Sequence, residues 1–237
     1  MHMDAPRLRT LTISTYMDGS PTLRDDSASC LHASSTRFPH LTDFEWKFYQ
    51  TFSEEMGYIG CKELSSSLAE LIEPLFVLRD LRNFSYCFLG PAVSLSSADL
   101  ERIAEAWPSL ETCLFFQDDW DCYIDFASIV ALARHCSNIQ IMSFHRVEFD
   151  LTANNPVMLP QDRLRLQKLS IECITLPQES TDSDPPGVTI EELRRMLQKI
   201  FPWAHLELPS QIGEIDLELP TEQDHESDRQ GVTVTAV

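Results

Sequence analysis

Residues 99–116 read DLERIAEAWPSLETCLFF, and residues 126–144 read FASIVALARHCSNIQIMSF. The two stretches share one layout. In the first, Ser96 is placed to cap a helix, with Asp99 three residues on as in a capping box. Ile103 and Trp107 lie four apart on one face, and Pro108 stops the helix. In the second, Asp125 caps, Ile129, Leu132 and Ala133 form an apolar stripe, and Cys136–Asn138 close it. Each helix runs into three apolar residues spaced three and then two apart: Leu110, Cys113, Phe115 and Ile139, Met142, Phe144. Such a triplet fits a short strand, whose side chains alternate between two faces, Cys113 and Phe115 one way and Thr112 and Leu114 the other.

The triplet recurs outward in both directions, at Leu8, Leu11, Ile13; Leu41, Phe44, Trp46; Leu81, Phe84, Tyr86; Leu166, Leu169, Ile171; and Trp203, Leu206, Leu208. The first residues of the seven triplets are separated by 33, 40, 29, 29, 27 and 37 positions. Self-similarity at a period of roughly 20–50 residues marks a solenoid. The junction recurs too: Trp107-Pro-Ser-Leu110, Cys136-Ser-Asn-Ile139, Phe201-Pro-Trp203, and Phe38-Pro-His-Leu41 without a clear helix before it. A second capping box, Thr189 with Glu192, opens TIEELRRMLQKIF, whose buried face is Leu193, Met196, Leu197 and Ile200. Residues 64–76 are a fourth helix candidate. Helices are expected over about 97–106, 126–135 and 190–200.

The expected architecture is α/β: an irregular leucine-rich-repeat solenoid over residues 1–208, about seven repeats, with a parallel sheet on the concave side and helices on the convex side. Leu81, Phe84, Leu110, Ile139, Met142, Phe144 and Leu169 form its predicted core. Regularity fails over 14–77, where the Ser/Thr-rich Ser14–Arg37 suggests no firm helix, and at Ser180–Gly187 (STDSDPPG), which reads as a loop. Residues 209–237 carry seven carboxylates, from Glu214 to Asp228, against Arg229 alone, the composition of a disordered acidic tail.

Composition narrows the functional classes. With 18 Lys and Arg against 37 Asp and Glu, the formal charge is −19. That argues against nucleic acid, which needs clustered cations, and against anionic membranes. No run of 18 apolar residues and no signal-like N-terminal stretch is seen. The seven cysteines are scattered, with no CxxC pair, so reduced thiols in the cytoplasm or nucleus are expected and a zinc site is not. No GxSxG, HExxH or phosphate-loop motif occurs, so neither catalysis nor a cofactor or metal is expected. A small α/β enzyme stands as the alternative from another class. It would want Gly-rich turns and polar residues after the strands; this chain has Asp118, Val147 and Ile174 there.

At the helix–strand junctions, DLERIAEAWPSLETCLFF and FASIVALARHCSNIQIMSF resemble repeats of F-box leucine-rich-repeat proteins, especially divergent fungal ones. The resemblance covers residues 78–208 well and 8–77 loosely. It implies a substrate-recognition part of a ubiquitin-ligase adaptor, with a Skp-type adaptor as partner where an F-box precedes the repeats. No F-box-like helical segment is visible, the first triplet already starting at Leu8. A stand-alone repeat adaptor outside the ubiquitin system is the other binding reading. The family's usual Asn or Cys three residues past the strand is replaced by Tyr16, Tyr49, Leu89, Asp118, Val147 and Ile174, so irregular turns are expected.

The candidate partner site follows from strand phase. Glu45, Lys47, Ser85, Leu114, Phe116, Ile141, Ser143, His145, Lys168 and Glu172 fall on the outward face. Leu114, Phe116 and Ile141 are its apolar centre, rimmed by His145, Glu172 and the carboxylates Asp118, Asp119 and Asp121. The expected partner is a protein of unknown identity.

Overall fold

The computed structural model describes residues 8–17, 23–50, 64–89, 93–117, 124–149, 165–176, 189–210, 212 and 231–236. The chain runs β1 (Thr10–Met17), α1 (Leu23–Arg37), β2 (Asp43–Gln50), β3 (Leu64–Ser67), α2 (Leu68–Ile72), a 3-10 turn (Glu73–Val77), β4 (Asn83–Leu89), β5 (Val93–Ser94) and α3 (Ser97–Ala106). It continues with β6 (Thr112–Gln117), β7 (Ile124–Asp125), α4 (Phe126–His135), β8 (Ile141–Glu148), β9 (Lys168–Thr175), α5 (Ile190–Ile200), β10 (His205–Glu207) and β11 (Gly231–Ala236). The main sheet is open, in the order β10-β9-β8-β6-β4-β2-β1-β11, with β7 joining β8 at the side. Every pair in it is parallel except β1 with β11. A separate two-stranded parallel sheet joins β3 and β5.

The seven triplets set the register. Leu11, Phe44, Phe84, Cys113, Met142, Leu169 and Leu206 are successive partners across the sheet. This row and the next, from Ile13 through Trp46, Tyr86 and Phe115 to Phe144 and Ile171, are buried. Aromatic rings stack along them: Phe44 on Phe84 at 6.3 Å and Phe115 on Phe144 at 5.9 Å between centroids. Leu100 and Ile103 of α3, Ile129 and Leu132 of α4, and Leu193 and Leu197 of α5 share that core, so the helices cover this face of the sheet. All seven predicted core residues are fully buried.

Each junction is built the same way. Trp107, Cys136 and Phe201 end their helices by donating their amides to Ile103, Leu132 and Leu197. Their own carbonyls then accept from Leu110, Ile139 and Ala204, three residues on. Helices α3, α4 and α5 occupy the expected ranges. Ser96 and Thr189 close the two predicted capping boxes.

Four expectations are corrected. Ser14–Arg37 does contain a helix, α1, although its apolar content is thin. Its small residues permit close packing: Leu31, Ser34 and Ser35 are buried, and the hydroxyls of Ser34 and Thr36 bond back to the carbonyls of Cys30 and His32, both at 2.8 Å. The helix proposed over 64–76 is broken up. The serines are extended, Ser67 caps the short α2 from Glu70, and Pro74 leaves a 3-10 turn in place of further α-helix. Trp203 is 80% exposed while Ala204 is buried. Three residues on from the helix-ending Phe201 is Ala204, which therefore takes the slot of Leu110 and Ile139. The expected disordered tail contains a strand: Gly231–Ala236 forms β11, as the alternation of β-branched residues in GVTVTA favours. Residues 180–187 and most of the tail lie outside the described residues.

The slot lacking Asn also has a structural outcome. Val147 and Ile174 are buried, and β8 and β9 run on through them to Glu148 and Thr175. β-Branched residues prolong a strand where the Asn of regular leucine-rich repeats would turn it.

Replacing Leu110 or Leu169 with Ala is expected to cost about 2–5 kcal/mol, whereas Trp203→Ala should stay within about 0.5 kcal/mol. Chemical denaturation measures both. A Trp203 loss equal to that of Leu110 would contradict the junction described here.

Candidate interaction surface

The face of the sheet away from the helices carries three rows of partly exposed side chains. One row runs Thr10, Asp43, Asn83, Thr112, Ile141, Lys168, His205. The next runs Thr12, Glu45, Ser85, Leu114, Ser143, Ser170, Glu207. The third crosses Ser14, Lys47 and Cys87 to the next strand at Phe116. Phe116 meets His145 across β6 and β8, with ring centroids 4.8 Å apart. His145 Nδ1 in turn lies 2.9 Å from Glu172 Oε2 on β9. The structure thus brings Phe116, His145 and Glu172 together, with Leu114 and Ile141 in the neighbouring rows.

Charge gathers toward the two ends of this face. Near β1, Lys47 pairs with Glu45 at 3.0 Å, Thr12 donates to Glu45, and Asn83 donates to Asp43. Near β10, Lys168 pairs with Glu207 at 2.8 Å. The hydrogen bond from Lys168 holds the Glu207 carboxyl below its ordinary range. The centre is apolar and narrow. Cys87 extends it by one strand; its thiol is raised, first by burial, and so stays neutral beside Phe116. Cys87, Asn83, Ser170 and Glu207 were not singled out from the sequence for this face, although register alone identifies them once neighbouring triplets are aligned.

The acidic rim is only partly described. Asp118, Asp119 and Asp121 lie outside the described residues. Asp125, four residues beyond them, is committed to structure: it caps α4 by accepting from Ser128 N at 2.8 Å and Ser128 Oγ at 2.6 Å, and it also accepts from Ser97 at the start of α3. Partial burial pushes the Asp125 carboxyl up, but these hydrogen bonds outweigh it and leave the group below its ordinary value. Among the described residues no three potential metal ligands cluster, and no helix is long and apolar enough to cross a membrane. Burial raises the Cys113 thiol well above its usual range and pushes Cys136 up to about 12.

Comparison with protein-family models and with curated proteins finds no match to this chain.

Removing the Asp125 cap by Asp125→Ala is expected to cost about 1 kcal/mol at neutral pH. A carboxyl lowered in the folded state contributes stability above its unfolded pKa, near 3.9, and loses it as pH falls through the folded value. The deficit of the variant should therefore shrink on acidification below about pH 4, and Asp125→Asn, which keeps an acceptor, should recover most of the loss. Denaturation series from pH 7 to pH 3 test this; a deficit that does not vary with pH would remove the charged contribution.

Proposed function

We propose that this protein is a non-enzymatic protein-binding module, an irregular leucine-rich-repeat solenoid whose outward sheet face holds the partner. The observation that carries this reading is the side-chain alternation of the parallel strands. Parallel sheets in α/β enzymes are covered on both faces and their strands are apolar throughout. Here, among the described residues, one face is packed by helices, while the other presents Thr, Ser, Asn, Glu and Lys around the centre of Leu114, Phe116 and Ile141. That contrast supports a binding surface over a small α/β enzyme. The sequential strand order and the repeated junctions support the solenoid.

The resemblance of residues 78–208 to F-box leucine-rich-repeat proteins extends the proposal. The module serves as the substrate-recognition part of an F-box-like ubiquitin-ligase adaptor, and its ligand is a protein delivered for ubiquitination. Charged and polar rows at both ends, Glu45 and Lys47 on one side and Lys168, Glu172 and Glu207 on the other, orient the partner on the apolar centre.

The test is affinity purification of the protein expressed at its native level, with blotting for the Skp-type adaptor and for ubiquitinated species. Both are expected in the eluate where an F-box precedes the repeats in the expressed protein. Interface anchors typically contribute 2 kcal/mol or more, so Phe116→Ala should weaken the captured partner about thirtyfold while leaving the thermal midpoint nearly unchanged. Retention of partners without the Skp-type adaptor would favour a stand-alone repeat adaptor. Retention by the Phe116 variant at wild-type levels would remove the outward face as the site.

A further inference from the structure

Strand β1 pairs with β2 on one side only; its other edge would be an open strand eight residues long above the buried Leu11 and Ile13. Such an edge is a template for any extended chain. Here β11 fills it, antiparallel, with partners from Leu11↔Ala236 to Tyr16↔Gly231. The pattern of GVTVTA suits the place. Val232, Val234 and Ala236 fall in register with Thr15, Ile13 and Leu11, and Thr233 and Thr235 with Ser14 and Thr12. In the main sheet β11 is out of step with the parallel strands, in direction and in sequence order, since the last strand of the chain borders the first.

The connection is long and sparse in apolar groups. Ile212, the nearest described residue before β11, packs against the core beyond β10. From β10 to β11 there are seven strand spacings in the sheet order, roughly 34 Å at about 4.8 Å each. The 18 residues 213–230 reach about 60 Å when extended. A chain of that length can reach across the sheet, with less than a twofold margin, and it contains all seven carboxylates of the tail.

We propose that the free edge of β1 is a strand-exchange site. In cis it is filled by Gly231–Ala236; in trans it takes the same strand from a second copy, giving a symmetric dimer with two exchanged strands. The occupant is a second copy because the segment whose alternation fits this edge is carried by every copy of the chain. A tether of this kind gives the cis strand an effective concentration on the order of 1 mM. The closed form thus dominates in dilute solution, and exchange follows when the tether cannot span the sheet.

Deletion of residues 213–226 tests this in an otherwise whole chain. Four residues then separate Ile212 from Gly231, a reach of about 14 Å, too short for cis pairing. Analytical ultracentrifugation is expected to show a dimer for the deletion variant where the wild type sediments as a monomer. Adding Thr233→Pro and Val234→Pro should return it to a monomer, because one of two adjacent positions carries a ladder amide whichever way the pairs alternate. A folded deletion variant that stays monomeric, or a dimer that survives the two prolines, overturns the proposal. Should the deletion variant fail to fold, the undeleted chain bearing both prolines decides. It should capture a labelled peptide of residues 229–237 at about 10 µM, and the wild type, its edge filled in cis, should bind about a hundredfold less. Equal binding by both, or none by the proline variant, overturns it equally.

Discussion

The carbonyl oxygens of Arg9, Thr42, Arg82, Glu111 and Gln140 each accept two consecutive amides from the start of the next strand, at 2.7–3.1 Å. Each of these residues directly follows the first apolar residue of its triplet. The paired bonds fix where every strand begins relative to its neighbour. In a sheet with one buried face, a slip of one residue would exchange the faces, burying Glu45 and Lys47 and exposing Phe44 and Trp46. The core, the helix positions and the outward rows all depend on that phase. At the last junction His205 alone bonds to the Gln167 carbonyl, at 2.7 Å. The turn there is one residue shorter, so Ala204 enters the core while Trp203 stays outside.

Second-level bonds tie the helices to the same frame. Trp107 is fully buried and its indole donates to the Leu75 carbonyl at 3.3 Å, while its own carbonyl receives the Cys136 thiol at 3.6 Å. Arg79 reaches the carbonyls of Glu105 and Ala106, both at 3.1 Å, satisfying the C-terminal end of α3. Asp125 joins the starts of α3 and α4. Consecutive units are therefore linked on the strand side by backbone and on the helix side by side chains. A substitution at Trp107 or Asp125 is felt in the neighbouring unit as well as its own.

What could be read from the sequence was whatever repeats. The triplets yielded strand phase, register and core, and the capping boxes yielded the helix ranges, because both rest on side-chain spacing that the backbone must obey. Features that occur once were harder. The packing of α1 depends on small polar residues bonding back to their own helix, which leaves no apolar stripe to find. Pro74 was visible, but the short helix ahead of it was hidden in a serine run equally suited to extended chain. β11 was masked by its neighbours: the acidic composition of 213–230 set the reading of the whole tail, although GVTVTA alternates as strands do. Of the candidate site, strand phase placed Leu114, Phe116, Ile141, His145 and Glu172 on one face. The ring contact and the carboxylate bond joining three of them required coordinates, since sequence carries phase but not the distance across a sheet.

A parallel sheet with one face uncovered among the described residues has to manage solvent on that face. This one does so through close pairs at both ends, Glu45 with Lys47 and Lys168 with Glu207, which satisfy charge without drawing on the middle strands. The centre is left with Leu114, Phe116, Ile141 and the half-buried Cys87, of which Phe116 is partly sheltered by the His145 ring. His145 is held in that position by Glu172. On the proposed reading the ring is both a cover and a wall: a partner that takes the carboxylate of Glu172 frees the imidazole to turn and widens the apolar centre. A basic or amide-bearing group on the partner would compete best for Glu172, and an apolar side chain two residues away would then fill the space beside Phe116. On that reading the surface would favour a partner presenting a polar group and an apolar anchor together, a narrower requirement than the net charge of the chain alone would set.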